Sequence, residues 1–376
     1  MSCFALLAGG GTGGHVQPAL AVAEALVARG HDPASIHFVG SERGMEATLV
    51  PEAGFEVTLL PGRGIQRRIT AANLGAIAGI STACVKALGT LRHYRPAVVV
   101  TVGGYAGFPP SFAALVQGVP VVVVSYDAVP GAANRLIGRF AAANAVAFAG
   151  TRLPKARVTG PPVRARVLAV DRSTEGRRAA SGELGLDPER MIVLATGGSL
   201  GARSVNDAVV SWCSRWHDRS DVAVYHVAGE RNLEDVTAAA AASGLFGEHM
   251  QLDYRLVGYE HRMPLLLAAC DLAIARAGAS TVAELCAVGV PSVLVPLPGS
   301  PSDHQTKNAR SLADAGAAVT IADAECTGES LAEVVAPLLA EGPVRTAMGE
   351  AAATLGHRDA AEQIAILAES VARRAA

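Results

Sequence analysis

The chain has 376 residues, half of them hydrophobic and 4% aromatic, with a formal net charge of −2. This length predicts two domains, and the near-neutral charge argues against nucleic acid as a partner. The six cysteines are scattered without a Cys-x-x-Cys pair, which indicates a reducing compartment. No basic signal-peptide segment precedes the first glycines, and apolar runs such as 119–124 are too short to span a membrane. We therefore expect a cytoplasmic location.

The first half of the chain alternates short apolar runs with helical patterns. Buried strands are predicted at 3–8, 36–39, 57–60, 97–102 and 119–124. Helices are predicted at 16–29, with Pro18 in the first turn, and from Thr70 onwards. The apolar stripe of the second helix is predicted at Leu74, Ile77, Ser81, Cys84, Leu88 and Leu91. This alternation is typical of a doubly wound parallel sheet.

The same pattern starts again in the second half. The apolar run 191–196 leads into a glycine loop at 197–203 and a helix from about Ser204. We therefore predict an α/β fold of two similar domains, with the proline-rich segment 160–164 as a stiff link. The predicted bounds are 1–162 and 163–354, with a C-terminal helix at about 355–376 that packs back on the first domain.

The loop at 9–15 is dense in glycine and lies between the first predicted strand and its helix. Backbone N–H groups at such a helix start can hold a diphosphate. The loop lacks the Lys-Ser/Thr ending of a P-loop, and no ribose-binding acid follows at the distance of a dinucleotide fingerprint. The alternative is a tight turn, although five glycines in six positions exceed what a turn requires.

His15 lies where this loop meets the helix. A neutral imidazole at that place can accept a proton from a substrate hydroxyl. The positive end of the helix would favour the neutral form. The alternative is a histidine that only hydrogen-bonds to the loop.

A second candidate site follows the strand-like run 272–275. Gly278 and Ala279 are small enough for a ligand to approach the backbone, and Ser280 or Thr281 can cap the next helix. The helix start favours a phosphate, and Glu284, one turn further on, suits the paired hydroxyls of a ribose. The stretch predicts a nucleotide-diphosphate site, and the alternative is an ordinary capped helix.

Four more polar residues are candidates for ligand contacts. Ser199 can donate to a phosphate, and Arg164 can supply a cation from the link between the domains. Gln305 and Asn308 follow the apolar run 292–295 and are spaced to share a helix face, where they can bind sugar hydroxyls or cap the helix. No Asp-x-Asp pair or zinc-spaced His/Cys cluster is present, so we expect no metal and no cofactor.

The segment 63–69 mixes arginines with apolar residues. Together with the exposed side of the following helix, including Ile80, it suits an anionic membrane surface. The alternative is a solvated loop.

Several of these motifs, in this order, resemble those of one family. They are the segments 10–23, 103–105, 198–203, 276–284 and 304–309. Together they resemble the MurG family, peptidoglycan N-acetylglucosaminyltransferases that convert lipid I to lipid II. The resemblance extends over nearly the whole chain and implies a GT-B fold of two Rossmann-like domains with a cleft between them.

The resemblance also implies roles for individual residues. The donor is UDP-N-acetylglucosamine, bound by the C-terminal domain, and the acceptor is an undecaprenyl-linked muramoyl-pentapeptide, bound by the N-terminal domain. The implied acceptor-side residues are Thr12, Gly13, Gly14 and Tyr105. The implied donor-side residues are Arg164, Ser199, Arg276, Ala279, Ser280, Thr281, Glu284, Gln305 and Asn308. The enzyme is expected at the cytoplasmic side of the cell membrane, as a peripheral protein.

The chain departs from the family pattern at two places. One is the usual Gly-Asn-Pro-Val-Arg, which is Gly160-Pro161-Pro162-Val163-Arg164 in this chain. The other lies before Ala-Val-Pro-Gly. The family has His-Glu-Gln-Asn before Ala-Val-Pro-Gly, whereas this chain has Val124, Ser125, Tyr126 and Asp127. The implied reaction is an inverting, metal-independent transfer through an oxocarbenium-like transition state. Because the family's glutamate is replaced by serine, we predict His15 as the base, with Asp127 as the next candidate.

Three other functions remain open from the sequence. They are a transferase of the same fold with another lipid or small-molecule acceptor, a UDP-N-acetylglucosamine 2-epimerase, and a sugar-nucleotide binder without catalysis. The first would use a different acceptor, the second would need no acceptor, and the third would bind UDP without turnover.

Overall fold

The computed structural model describes residues 3–42, 44–61 and 71–373, with only the backbone of 71–78 and of 301. The described chain divides into two compact units. Unit 1 runs to Ala165 and includes the C-terminal residues from His357, and unit 2 is Arg166–Gly356. The predicted basic segment 63–69 and the predicted helix start at Thr70 lie outside the described residues.

Unit 1 contains one sheet of seven strands. These are β1 (Ala5–Gly9), β2 (Ile36–Ser41), β3 (Glu56–Leu60), β4 (Val98–Gly103), β5 (Val121–Ser125), β6 (Ala143–Val146) and β7 (Ala156–Val158). The helices between them are α1 (Gly13–Ala28), α2 (Glu46–Glu52), α3 (Ala71–Tyr94), α4 (Gly104–Val116) and α5 (Ala132–Gly138). A short helix, α6 (Ala165–Leu168), follows where the chain passes into unit 2.

Unit 2 contains a sheet of six strands. These are β8 (Met191–Thr196), β9 (Val222–Val227), β10 (Asp253–Val257), β11 (Leu272–Ala275), β12 (Ser292–Leu294) and β13 (Ala318–Thr320). Its helices are α7 (Thr174–Leu184), α8 (Arg203–Arg215), α9 (Leu233–Ala242), α10 (Met263–Ala269), α11 (Ala279–Val288), α12 (His304–Asp314), α13 (Gly328–Ala340) and α14 (Gly342–Thr354). The last helix, α15 (Ala360–Val371), belongs to unit 1. Short 3-10 turns lie at Pro33–Ser35, Glu230–Asn232, Pro301–Asp303 and Asp323–Glu325.

The strand order fixes where ligands can bind in each sheet. In unit 1 the order is β3-β2-β1-β4-β5-β6-β7, with Ala5 of β1 opposite Ile36 on one side and Val98 on the other. In unit 2 the order is β10-β9-β8-β11-β12-β13. From β1 the chain adds β2 and β3 on one side, and β4 to β7 then follow on the other side of β1. Unit 2 repeats this, with β9 and β10 on one side of β8 and β11 to β13 on the other. At such a reversal, between β1 and β4 and between β8 and β11, the loops after the two strands diverge and leave a crevice at the carboxyl edge.

The predicted strands are largely confirmed, and the predicted helix bounds needed correction. The strands at 191–196 and 272–275 agree with β8 and β11 residue for residue. Helix α1 begins at Gly13 rather than Val16, so the glycines predicted as loop form its first turn. Among the side chains described on α3, the predicted Leu91 is buried, Cys84 and Leu88 are half-buried and Ser81 is exposed. The predicted Leu74 and Ile77 side chains lie outside the described residues. Ala83 and Ala87 are also buried. Alanines allow a neighbouring helix to pack closely. The predicted stripe omitted them because it was chosen from larger apolar residues.

The C-terminal helix α15 packs against α1 in unit 1. The guanidinium of Arg29 donates to the Glu369 carboxylate, with Nη2 2.8 Å from Oε2, and His31 Nε2 lies 3.1 Å from Oε1. This pairing lowers the pKa of Glu369 mainly through the Arg29 hydrogen bond. Both side chains of the ion pair are partly exposed, so it orients α15 more than it stabilises the fold. Among the described residues, no helix is long and apolar enough to cross a membrane.

A buried histidine lies in the sheet of unit 2. His226, on β9, is fully buried, with Nε2 3.1 Å from Asn206 Oδ1 and Nδ1 2.8 Å from the Tyr254 hydroxyl. The Asn206 amide nitrogen donates to the Ala228 carbonyl, so Oδ1 faces the histidine and Nε2 must donate. Nδ1 therefore accepts from Tyr254, and the imidazole is neutral. Burial lowers the pKa of His226 to about 3.

This histidine predicts a loss of stability in acid. An unfolded imidazole binds a proton below about pH 6.5, whereas the buried one does so only below about pH 3. The unfolded state therefore takes up the extra proton in this window, and stability falls as the pH is lowered. Between pH 7 and pH 5 we expect the free energy of unfolding to fall by about 2 kcal/mol through this group. In His226→Gln this part of the pH dependence should disappear.

The measurement is denaturant unfolding at the two pH values, followed by tryptophan fluorescence. Both tryptophans, Trp212 and Trp216, lie in unit 2, so the signal reports on the unit that contains His226. His217→Gln removes an exposed imidazole from the same unit and serves as the control. An equal pH dependence in wild type and His226→Gln would contradict the assignment.

Candidate active site

The glycine loop of unit 1 lies at the carboxyl end of β1, beside the point where the sheet order reverses. Thr12 is the N-cap of α1 in an extended conformation, and its carbonyl accepts from the N–H groups of His15 and Val16. The N-terminus of α1 therefore faces the crevice between β1 and β4. A helix start in this position favours a negatively charged or polar ligand.

His15 is half-buried next to both glycine loops of unit 1. Its Nδ1 lies 3.2 Å from the Thr12 hydroxyl. Gly104, after β4, has a positive φ of 73°, and a Cβ built there would lie 3.4 Å from His15 Cδ2 and 2.6 Å from the Gly10 carbonyl oxygen. The absence of a side chain at Gly104 therefore lets the second loop approach the Gly10 carbonyl of the first loop, next to the imidazole.

Tyr105 joins the same cluster from the start of α4. Its hydroxyl lies 2.5 Å from Ser41 Oγ at the end of β2. A Cβ on Gly11, whose φ is 102°, would lie 3.0 Å from the Tyr105 ring. The structure thus brings Tyr105 next to the loop of Thr12 and His15, which the sequence placed in a separate motif.

Glu46, on α2, is a buried carboxylate that the sequence analysis did not single out. It is 2% exposed, and its Oε1 accepts from the backbone N–H groups of Gly11 and Ser41 at 2.9 Å each. A Cβ on Gly10 or Gly44 would lie within 2 Å of a Glu46 oxygen, at 1.6 and 1.7 Å. Part of the glycine content around β1 and β2 therefore makes room for this side chain. No sequence signal links Glu46 to the loop, because the two are 35 residues apart.

The nucleotide-site prediction in unit 2 lies on α11, directly after β11. Gly278 is the N-cap, so the prediction that Ser280 or Thr281 caps the helix is wrong. The first backbone hydrogen bond runs from Val282 N–H to the Gly278 carbonyl at 2.9 Å. The preceding N–H groups of the first turn are directed out of the helix end, as at any helix start. With glycine as the cap, no capping side chain covers this end.

Arg276 precedes this helix and is held inside unit 2. Its Nη1 donates to the carbonyls of Val295 and Pro296, at 3.1 and 3.2 Å, and its side chain pairs with Asp323 at 2.5 Å. Its Nη2 donates to Ser204 Oγ at 2.9 Å. The residue is 7% exposed. Arg276 therefore ties together the loops at the carboxyl edge, and its contact with substrate stays a prediction.

Asn308 and Gln305 on α12 also make internal contacts. Asn308 is 2% exposed, and its amide nitrogen donates to the Ala277 carbonyl at 3.0 Å. Gln305 is half-buried, and its Oε1 accepts from the Leu297 N–H at 3.0 Å. Asn308 thus positions the loop before α11, whereas the amide nitrogen of Gln305 remains oriented by this bond for a further contact.

Ser199 lies in the glycine loop after β8, beside the second reversal point. It is half-buried, and the neighbouring Gly198 N–H donates to Thr196 Oγ1 at 3.1 Å. Gly201 has a φ of 70°, and a Cβ there would lie 2.1 Å from the Ala228 carbonyl oxygen. The loop is therefore pressed against the end of β9, which holds Ser199 at the carboxyl edge.

Comparison with known proteins identifies the family. The glycosyltransferase family 28 N-terminal domain matches residues 5–146, and the family 28 C-terminal domain matches 192–364. A UDP-N-acetylglucosamine–N-acetylmuramyl-(pentapeptide) pyrophosphoryl-undecaprenol N-acetylglucosamine transferase from Nocardioides sp. is 41% identical, over 96% of each chain. The protein of that name from Desulforudis audaxviator is 36% identical, over 98% of each chain. The chain belongs to the MurG family of glycosyltransferase family 28.

Solved structures agree with this assignment. The crystal structure of Acinetobacter baumannii MurG is similar with a TM-score of 0.71 and 26% identity, covering 98% of this chain and all of the other. The predicted fold class, two α/β domains with parallel sheets as in GT-B enzymes, is confirmed.

One segment in which this chain departs from the MurG pattern lies at the end of β5. Ser125 is 2% exposed, and its Oγ has no hydrogen-bond partner among the described residues. Tyr126 is also buried, and its hydroxyl donates to the Gly14 carbonyl at 2.8 Å. Asp127 is half-buried beside it. The changed segment therefore contacts the glycine loop and belongs to the candidate site.

Arg164 is engaged within unit 1 in this MurG-family chain. Its Nε donates to Glu24 Oε1 at 2.9 Å, and its Nη1 donates to Gln17 Oε1 at 3.2 Å. Glu24 Oε2 also accepts from the Ala165 N–H at 3.1 Å. The side chain is 11% exposed. A contact between Arg164 and a diphosphate stays a prediction, and it would require a rearrangement or sharing of these bonds.

One aromatic pair at the carboxyl edge of unit 2 was missed by the sequence analysis. Tyr259 and His261 follow β10, with ring centroids 4.8 Å apart in an edge-to-face arrangement. Aromatic faces at the end of a parallel strand can stack on a planar ligand. The only sequence feature that indicates this pair is an aromatic residue shortly after a strand, and this feature is too common to predict a ligand site.

Proposed function

We propose that this chain transfers N-acetylglucosamine from UDP-N-acetylglucosamine to the muramoyl 4-hydroxyl of an undecaprenyl-diphospho-muramoyl-pentapeptide, converting lipid I to lipid II. The observation that supports this most is the match over nearly the full chain to relatives named for that reaction. Both candidate sites, the glycine loop with His15 and the start of α11, lie at carboxyl edges where such ligands bind.

In the proposed mechanism, the acceptor hydroxyl attacks the anomeric carbon of the donor sugar from the face opposite UDP. The new bond joins the muramoyl O4 to C1, and the bond from C1 to the phosphate oxygen breaks with its electron pair leaving on UDP. His15 takes the proton of the hydroxyl. The start of α11 stabilises the negative charge of the leaving diphosphate through its backbone N–H groups.

Glu284 has a separate role in this proposal. It lies one turn into α11 and is half-buried. In the proposal, its carboxylate accepts hydrogen bonds from the ribose hydroxyls of the donor.

The direct test is an assay of UDP release and product formation. The protein is incubated with UDP-N-acetylglucosamine and lipid I, with a diacylglycerol acceptor, or with no acceptor, each with and without EDTA. We expect UDP release and product formation only when lipid I is the acceptor, and the same rate with and without EDTA. Conversion of the donor without acceptor would indicate an epimerase, and UDP binding without turnover would indicate a non-catalytic binder.

The role of His15 is tested by His15→Gln, which keeps most of the side-chain volume. Loss of the base should lower kcat by about 10²–10⁴-fold, with little change in donor affinity. His249→Gln, an exposed histidine of unit 2, is the control. If His15→Gln turns over within a few-fold of wild type, His15 is not the base and Asp127 becomes the candidate.

The role of Glu284 is tested by calorimetric titration with UDP-N-acetylglucosamine. Glu284→Ala removes a charge-assisted hydrogen bond and should weaken binding by about 1.5–3 kcal/mol. Glu234→Ala, an exposed carboxylate on α9, should bind like wild type. Unchanged affinity in Glu284→Ala would contradict the ribose contact.

We further propose that unit 1 binds the cytoplasmic surface of the membrane. The helices α3, α4 and α5 are neighbours, and each exposes large apolar side chains. We call these residues the apolar surface: Val85, Phe112, Val116, Leu136 and Phe140, with Val85 69% and Phe140 67% exposed. Arg135 is exposed on α5, and Arg139 and Phe140, which directly follow α5, are exposed as well. Apolar residues flanked by cations suit an interface with anionic lipid.

Sedimentation with phosphatidylglycerol vesicles tests this surface. Replacing Arg135 and Arg139 with Gln should weaken vesicle binding, because each basic residue near the surface contributes about 1 kcal/mol. Replacing Val85 and Val116 with Gln should weaken it further at high salt, where the apolar contribution dominates. Arg178→Gln with Arg215→Gln, two exposed arginines of unit 2, is the charge-matched control. Equal binding by all variants would exclude the surface.

A further inference from the structure

The segment that leads into His15 is unusual in its lack of side chains. Five of the six residues from Gly9 to Gly14 are glycine. A glycine backbone has access to more conformations than any other, so such a segment is weakly held by its own sequence. His15 lies in the first turn of α1, which begins at Gly13, and contacts from other segments help to hold this glycine-rich helix start in place.

One outside contact is the Glu46 carboxylate, which accepts from the Gly11 N–H. A carboxylate that accepts from backbone N–H groups in a buried place forms strong, charge-assisted bonds. Glu46 holds the loop near its start, four residues before His15.

The second contact comes from Tyr126, at the end of β5. Its hydroxyl donates to the Gly14 carbonyl at 2.8 Å. That carbonyl belongs to the peptide group that joins Gly14 to His15. The hydrogen bond therefore fixes the orientation of this peptide plane, and with it the position of the His15 backbone. Burial, with the charge of Asp127 adding to it, raises the pKa of Tyr126 well above its usual value, so the hydroxyl keeps its proton.

Tyr126 lies close enough to His15 for its hydrogen bond to Gly14 to influence the position of the imidazole. The ring centroids of His15 and Tyr126 are 6.3 Å apart. The His15 Nδ1 contact with the Thr12 hydroxyl fixes the imidazole at the other side. The MurG pattern has glutamine where this chain has Tyr126, and here the tyrosine hydroxyl makes the contact with the Gly14 carbonyl.

We propose that Tyr126 is a positioning residue for the transfer. Its hydroxyl, bound to the Gly14 carbonyl, holds His15 in the orientation from which the imidazole takes the proton of the acceptor hydroxyl. This inference rests on the proposed transferase function and on His15 as its base.

Tyr126→Phe is the sharpest variant, because it removes one oxygen and keeps the buried ring. The Gly14 carbonyl then loses the hydrogen bond from residue 126, and we expect kcat to fall about 5–50-fold while the KM for UDP-N-acetylglucosamine stays within about twofold. Tyr94→Phe is the matched control: its ring stacks on His37, and its hydroxyl has no hydrogen bond to the described residues. The control should retain wild-type kcat.

A double variant separates positioning from general destabilisation. If Tyr126 acts through His15, adding Tyr126→Phe to His15→Gln should lower kcat no further. A multiplicative loss in the double variant would overturn the proposal. So would a fall in melting temperature for Tyr126→Phe with kcat unchanged at a permissive temperature.

A readout without turnover separates failure of this inference from failure of the proposed function. The ¹⁵N imidazole signals of His15, assigned by their loss in His15→Gln, report its orientation and titration. We expect them to shift in Tyr126→Phe and not in Tyr94→Phe. If wild type does not use lipid I but these signals shift, the assigned reaction fails while Tyr126 still positions His15. Unchanged His15 signals in Tyr126→Phe overturn the inference, whatever the activity.

Discussion

All strand pairs described in both sheets are parallel, and this direction decides where chemistry can occur. Parallel strands all end at one edge, and the loops that follow them gather there. In unit 1 this brings the loops after β1, β2, β4 and β5 together around His15. In unit 2 it brings the loops after β8, β11 and β12 together around Arg276. Residues far apart in sequence therefore meet because of strand direction.

Glycines serve two purposes at these edges. Some give room for another group, as Gly10 does for the Glu46 side chain and Gly104 does for the Gly10 carbonyl. Others allow a positive φ that turns the chain back against the next loop, as Gly201 does against Ala228. The conformational freedom that glycine brings must then be removed by outside contacts. In unit 1 these come from the buried carboxylate of Glu46 and the buried hydroxyl of Tyr126.

In unit 2 an ion pair, rather than contacts to a glycine-rich segment, holds the loops in place. Arg276 and Asp323 are an ion pair with little exposure, and the hydrogen bonds to Ser204 and two carbonyls satisfy most of the guanidinium. Removing one partner of such a pair strongly destabilises the fold, because the other charge would remain buried without its partner. Its value here is to hold several loops in one arrangement around the start of α11. That start then offers its N–H groups from a rigid frame.

The sequence by itself determined the α/β class, the two-domain organisation and most strands, because continuous apolar runs followed by glycine have few other interpretations. It also located His15 and the start of α11, since both follow a strand directly. Only the tertiary structure decided which polar residues support the site. Arg276 and Asn308 are internal, Gly278 is the cap of α11, and Glu46 and Tyr126 hold the first loop. The physical reason is that these roles depend on hydrogen bonds between distant segments, which local periodicity does not encode.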